Sequence, residues 1–223
     1  MSRNRVRHQS MPVSIVGIIF RARLLLLDLG SLCKDVVKGS SSLDSSPTTS
    51  RSIQGMWVKW KPPSRGFKLN TDGSCRSALM RGGGVVRDSL GSVVVAFSAF
   101  FGNDDSLQAE SQALLTGLLL CKWREIQIQE VEVDLLIIIK AMSGKVSIPW
   151  RIEYWIRRCK LLLDSHMSII HTWREGNMVA DFLADKATKN DNFLVFSGLG
   201  SFPADGSIFV QADALGLHYF CPP

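Results

Sequence analysis

Between residues 67 and 72 apolar and polar positions alternate. Phe67, Leu69 and Thr71 fall on one side, Lys68, Asn70 and Asp72 on the other. A period of two predicts a half-buried strand. Residues 82–88 predict a second strand, entered through Gly82-Gly83-Gly84, and residues 93–101 a third, with Ser89-Leu90-Gly91 as the turn between them. Three short strands on such turns make an antiparallel meander. The period then changes. Ala113, Leu114, Gly117, Leu118 and Cys121 recur at helical spacing, which predicts a helix over Ser106–Trp123. Val131 and Val133 alternate with Glu132 and Asp134 in a fourth strand over residues 128–134. Residues 135–142 predict a short helix stopped by Gly144. Residues 150–163 predict another, with Ile152, Trp155, Ile156, Cys159 and Leu163 as its apolar stripe. Residues 167–173 read as a fifth strand. Asn177 is expected to cap a last helix that faces inward through Ala180, Leu183, Ala184 and Ala187. A meander followed by such units predicts an α/β fold, one mixed sheet with helices packed on its faces.

The chain around this region is less regular. Residues 40–50 read SSSLDSSPTTS, a polar linker that buries nothing. Trp57 to Lys61 and the pair Pro62-Pro63 form an extended lead-in, because a residue before proline is pushed out of helix. Three parts are therefore expected: an N-terminal segment over 1–55 with the Ser-rich linker, an α/β domain over 56–190, and a tail over 191–223. The chain has 223 residues, 46% hydrophobic and 21% charged, which excludes wholesale disorder and allows a sizeable core. Of the formal charge of +6, five positive charges (Arg3, Arg5, Arg7, Arg21, Arg23) precede the first acid, Asp28. The rest of the chain is nearly neutral, so any basic surface in it is local. The apolar stretch over 12–20 is too short to span a bilayer, and no membrane partner is expected. Five scattered cysteines without a C-x-x-C pair argue against a disulfide framework and against a zinc site. An intracellular, reducing location is expected, the nucleus first. The Arg-rich, acid-free start is compatible with organellar targeting, or with a flank left from a longer parent protein. A monomer is expected.

Four carboxylates stand out by position. Asp72 and Asp134 end their predicted strands opposite the apolar positions. Glu110 lies on the apolar face of its helix, three, four and seven residues before Ala113, Leu114 and Gly117. Asp181 sits in the first turn of the last helix. Singly, each has a plain structural reading as a turn residue or as a partner of a helix dipole. Glu110 fits that reading least, since an ionised carboxylate facing a core is costly unless paired or metal-bound. Jointly, converging carboxylates repel, and a divalent cation can offset the repulsion. Two such ions about 3.5–4 Å apart can activate a water and stabilise the leaving oxygen of a phosphodiester.

Several runs carry a resemblance. They are Trp60-Lys61-Pro62-Pro63 with Phe67-Lys68-Leu69-Asn70-Thr71-Asp72-Gly73-Ser74, then Gly82 to Asp88 with Gly91, then Ala109-Glu110 with Ala113-Leu114 and Gly117-Leu118. Val131-Glu132-Val133-Asp134 follows, and then His171-Thr172-Trp173-Arg174-Glu175-Gly176-Asn177 with Ala180-Asp181 and Leu183-Ala184. In this order they resemble the type 1 ribonuclease H domain, more narrowly its plant reverse-transcriptase-like, retroelement-derived branch, from Trp57 to about Lys189. Asp213-Ala214-Leu215-Gly216 in the tail is similar too. The resemblance implies a ribonuclease H-like fold with a five-stranded mixed sheet in the order 3-2-1-4-5. It implies Asp72, Glu110, Asp134 and Asp181 as catalytic residues and as ligands of two Mg²⁺ or Mn²⁺ ions. It implies endonucleolytic cleavage of the RNA strand of an RNA–DNA hybrid, leaving a 3′-hydroxyl and a 5′-phosphate. Gly73 and Ser74 would approach the RNA strand, where the 2′-hydroxyl distinguishes RNA from DNA, and Asn177 would join them in binding substrate.

The sequence also departs from the family pattern. A histidine in a loop before the last helix is missing; His171 lies on the preceding strand and is expected to bond locally. Leu135 replaces the usual serine after the fourth-strand acid, and Ser111 follows Glu110. Trp57, Trp60, Trp150, Trp155 and Trp173 are expected in core or lid packing. Arg76, Arg81 and Arg87 are placed near the site, and Arg151, Arg157, Arg158 and Lys160 either face phosphates or form a solvated face. Besides the active ribonuclease H, two readings stay open: a retroelement-derived module that binds nucleic acid without cutting, and another nuclease of the same superfamily.

Overall fold

The structure is a computed structural model and describes residues 56–190 and 193–221. The linker over 40–50, the apolar stretch over 12–20, the Arg-rich start and Cys33 lie outside the described residues. The elements run β1 (Met56–Val58), β2 (Phe67–Arg76), β3 (Leu79–Asp88), β4 (Val93–Asn103), α1 (Ser106–Trp123), β5 (Ile128–Val133) and α2 (Leu136–Met142). They continue with α3 (Glu153–Leu162), β6 (Ser168–His171), α4 (Met178–Lys186), β7 (Phe193–Ser197), α5 (Ser207–Ala214) and β8 (Tyr219–Cys221).

The main sheet has six strands in the order β6-β5-β2-β3-β4-β7. The five expected strands keep the order expected of them, and β7 adds a sixth on the β4 edge. β2, β3 and β4 form the antiparallel meander, with Asp72 opposite Gly83. β5 lies parallel to β2, and β6 parallel to β5. The stretch after residue 190 therefore does more than trail behind the domain. Beyond β7, α5 packs Val210 into a cluster with Val85, Ala96, Val179, Leu183 and Phe202. β8 pairs with β1 in a separate two-stranded ribbon.

β2 is buried on both faces, not half-buried. On one side α1 lies close: a Cβ at Gly117 would meet the Leu69 and Thr71 side chains at 3.0 Å. On the other side Lys68, Asn70 and Asp72 are also buried, with Trp60 and α4 packed on that strand. Buried polar groups are tolerated only when bonded, and Lys68 and Asn70 are. Lys68 Nζ donates to Lys61 O and Glu132 Oε1, both at 2.7 Å, and lies 2.9 Å from Glu130. Arg87, on the neighbouring strand, is wholly buried: its guanidinium pairs with Asp213 at 2.6 Å and lies 3.7 Å from the centre of the Trp60 ring. Arg87 is thus a structural cation and not a phosphate ligand. Of the tryptophans expected in packing, Trp60 is core, whereas Trp57, Trp150 and Trp173 are exposed. Arg151 pairs with Asp104 and Asp105, and Arg157 with Glu153, which fits the solvated-face reading of that helix.

Candidate metal centre

The centre forms where the sheet loses a strand. β5 ends at Val133, and its pairing with β2 stops at Asn70 and Glu132. β2 runs on to Arg76, so Asp72 lies within the strand and not at its end as expected. Main-chain groups released by the missing neighbour need other partners. The Thr71 carbonyl accepts from Asn177 Nδ2 at 2.9 Å. The Gly73 N–H donates to the Glu110 carboxylate.

Asp72, Glu110 and Asp134 converge here. One carboxylate oxygen from each lies within 4.8 Å of the others. Asp72 is 3% exposed and Glu110 7%. Glu110 is held there because α1 lies directly on Gly73: any Cβ at Gly73 would sit 2.1 Å from the Glu110 nitrogen. The glycine that was expected to approach RNA thus first serves the packing of α1. Asp134 follows β5, and its main-chain carbonyl accepts from His171 Nε2 at 2.9 Å, the local bond expected of that histidine.

The charges crowd. Burial, with Asp134 and Asp181 close by, pushes the Asp72 carboxyl up to about 8, against the pull of Arg174. Burial and the charges of Asp134 and Asp72 raise Glu110 well above the usual carboxylate range. Asp134 is raised by burial, although the hydrogen bond from Glu110 and the charge of Arg174 oppose the shift. Burial and mutual repulsion thus oppose full ionisation of the cluster, and a cation would offset both. Glu110 Oε2 and Asp134 Oδ1 are buried without a hydrogen-bond partner. Orphaned, hard oxygen donors on rigid elements fit Mg²⁺ or Mn²⁺.

The fourth acid stands beside the trio. Asp181, in the first turn of α4, is gripped by Arg174 through Nε and Nη2. Its helix is seated by Gly83, where a Cβ would meet the Ala184 nitrogen at 2.3 Å. Arg174 was visible seven residues before Asp181 in the sequence but carried no assigned role. Asn177 occupies the cap position yet makes no capping bond with its side chain. At 1% exposure, with its amide spent on Thr71 and Asn70, it is not presented to a substrate. Ser74 remains partly open, its hydroxyl 3.5 Å from Asp185.

Sheet order, seated helices and a buried carboxylate trio together define a ribonuclease H-like α/β domain. Residues 70–187 match the reverse transcriptase-like family, and the chain belongs to that family. A protein of Arabidopsis thaliana that carries the name of a ribonuclease H protein is 32% identical over 167 residues. That match takes in 71% of this chain and 26% of the Arabidopsis protein's length. Among solved structures, ribonuclease H1 of Halobacterium salinarum superposes with a TM-score of 0.50 at 24% identity, over 54% of this chain and 96% of that one. The N-terminal ribonuclease H domain of a Mycobacterium tuberculosis protein gives 0.50 at 21%, over 57% and 96%.

Proposed function

We propose that this protein is a metal-dependent endonuclease that hydrolyses the RNA strand of RNA–DNA hybrids. The observation that carries the proposal is the convergence of Asp72, Glu110 and Asp134 with two buried acid oxygens left without partners. The name of the Arabidopsis relative supports the substrate class. Asp72, Glu110 and Asp134 would hold one divalent ion, and Asp72 with Asp181 a second. Bound there, Mg²⁺ or Mn²⁺ supplies a nucleophile at neutral pH and charge stabilisation at the phosphodiester. The chain's own part is positional. Gly73 holds the Glu110 carboxylate through its N–H, His171 holds the Asp134 backbone, and Arg174 holds Asp181. Ser74, on the partly open end of β2, is the residue proposed to meet the RNA strand.

A second reading, hybrid binding without cleavage, draws on one observation. Asp181 is engaged by Arg174 and stands outside the trio. We further propose a monomer in a reducing intracellular compartment, the nucleus first. Among the described residues, Cys75, Cys121 and Cys159 stand without a disulfide, which supports the reducing environment.

The test is cleavage of an end-labelled RNA–DNA hybrid at low salt with Mg²⁺ or Mn²⁺, comparing the full chain with Asp72→Asn. Cutting confined to the RNA strand and lost in the variant is expected. Intact hybrid with folded wild-type protein favours the second reading.

A further inference from the structure

Three of the four acids have a partner a short step back in the chain, and all three steps meet at one amide. Asn70 lies two residues before Asp72. Its Nδ2 donates to Glu132 Oε2 at 2.7 Å and to Asn177 Oδ1 at 3.1 Å. Glu132 lies two residues before Asp134 on β5, and Asn177 four before Asp181 at the start of α4. Asn70 Oδ1 accepts from Trp60 Nε1 at 3.1 Å and from Arg87 Nη2 at 3.2 Å. An indole N–H and a guanidinium can only donate, and a carboxylate can only accept, so the orientation of this amide is determined by its neighbours. Both amide protons and both lone pairs are used. Asn177 completes the link through its own Nδ2, which holds the carbonyl of Thr71, the residue before Asp72.

We infer that Asn70, acting through Asn177 and Glu132, is a positioning residue that fixes the register of the three elements carrying Asp72, Asp134 and Asp181. The inference rests on the metal-centre reading above and deepens it. Hydrogen bonds alone align β2 and β5 only as far as Asn70 and Glu132. Beyond that row the pairing of β2 with β5 stops, β5 ends at Val133, and α4 meets β2 without a ladder. A side-chain hub at the last paired row joins all three, beside the Lys68–Glu132 bond between β2 and β5 and the Asn177–Thr71 bond between the cap of α4 and β2. Asn70 touches none of the acids and needs no contact with substrate. Its effect is on how closely their oxygens are matched to one cation.

The test uses near-isosteric variants of the full chain. Asn70→Asp keeps an acceptor for Trp60 and Arg87 but removes the donor to Glu132 and Asn177. Asn177→Asp keeps the acceptor for Asn70 and sets an oxygen against the Thr71 carbonyl. Ile156→Ala, on the buried face of α3, is the control: it costs stability on an element that bears none of Asp72, Glu110, Asp134 and Asp181. Mn²⁺ affinity is measured by calorimetry, with thermal unfolding of the metal-free proteins alongside. Both Asn variants are expected to bind Mn²⁺ about 10–100-fold more weakly, while Ile156→Ala unfolds at lower temperature and keeps wild-type affinity. Wild-type Mn²⁺ affinity in both Asn variants overturns the inference, as does an equal loss in Ile156→Ala. Wild-type protein that binds Mn²⁺ but leaves hybrid intact overturns the nuclease reading alone. Wild-type protein without saturable Mn²⁺ binding overturns both.

Discussion

Asp72 shows how a single side chain can be kept at the expense of the fold that holds it. Its ordinary value near 3.8 is raised to about 8, by burial first and by the neighbouring acids second. Between those values the folded, metal-free protein holds a proton that the unfolded chain releases. Stability must then fall as pH rises through that window. Asp72→Asn removes the penalty. The metal-free variant is expected to melt several degrees above wild type at pH 8, since about 1 kcal/mol is worth roughly 2–4 °C in a domain of this size. Near pH 4 the two should converge. Scanning calorimetry across pH with a chelator present checks this, and a variant no more stable than wild type at pH 8 contradicts it. The four acids themselves were legible because Glu110 sat on the apolar face of its helix, Asp134 and Asp181 stood at element ends, and Asp72 stood where the apolar alternation stops, although β2 runs on past it. Asn70 and Arg174 were not. A polar residue on an alternating strand reads as solvent-facing, and nothing local reveals that Trp60, Asn177 and Arg87 close over it.

Elements with a long, strong period were read well. The helix expected over Ser106–Trp123 has those bounds, and the inward face Ala180, Leu183, Ala184 and Ala187 is buried. β2 extends past its expected end to Arg76, because its pairing with β3 continues through Gly82 and Arg81 where the apolar alternation has stopped. β7 went unread: its Phe-Leu-Val-Phe run lies outside the recurring motifs, and it is a strand because the free β4 edge accepts it. What seats one element on another is often the lack of a side chain. α4 rests on Gly83 so closely that a Cβ would lie 2.5 Å from the Ala180 carbonyl. Gly83→Ala is expected to push α4, and Asp181 with it, away from the sheet at a cost of about 1–3 kcal/mol. Gly200→Ala, where nothing lies within 4 Å, serves as the near-neutral control. Thermal unfolding separates the two, and equal midpoints would show that the close approach carries no weight.

At the scale of the whole described domain, Arg87 and Asp213 form a buried ion pair between positions 126 apart. Removing one partner of such a pair strands the other charge in a medium that cannot solvate it. Asp213→Asn is therefore expected to cost about 3–5 kcal/mol. In urea this appears as a lower midpoint at unchanged slope, and a midpoint equal to wild type would show the pair to be dispensable. The stretch after residue 190 thus stabilises β3, the strand beside the one that carries Asp72. The β1–β8 ribbon adds a different consequence. Met56 lies opposite Cys221, so the first and last described strands leave the domain side by side. A unit whose two ends share one doorway can be spliced into a host polypeptide like a bead onto a thread, without prying its host apart.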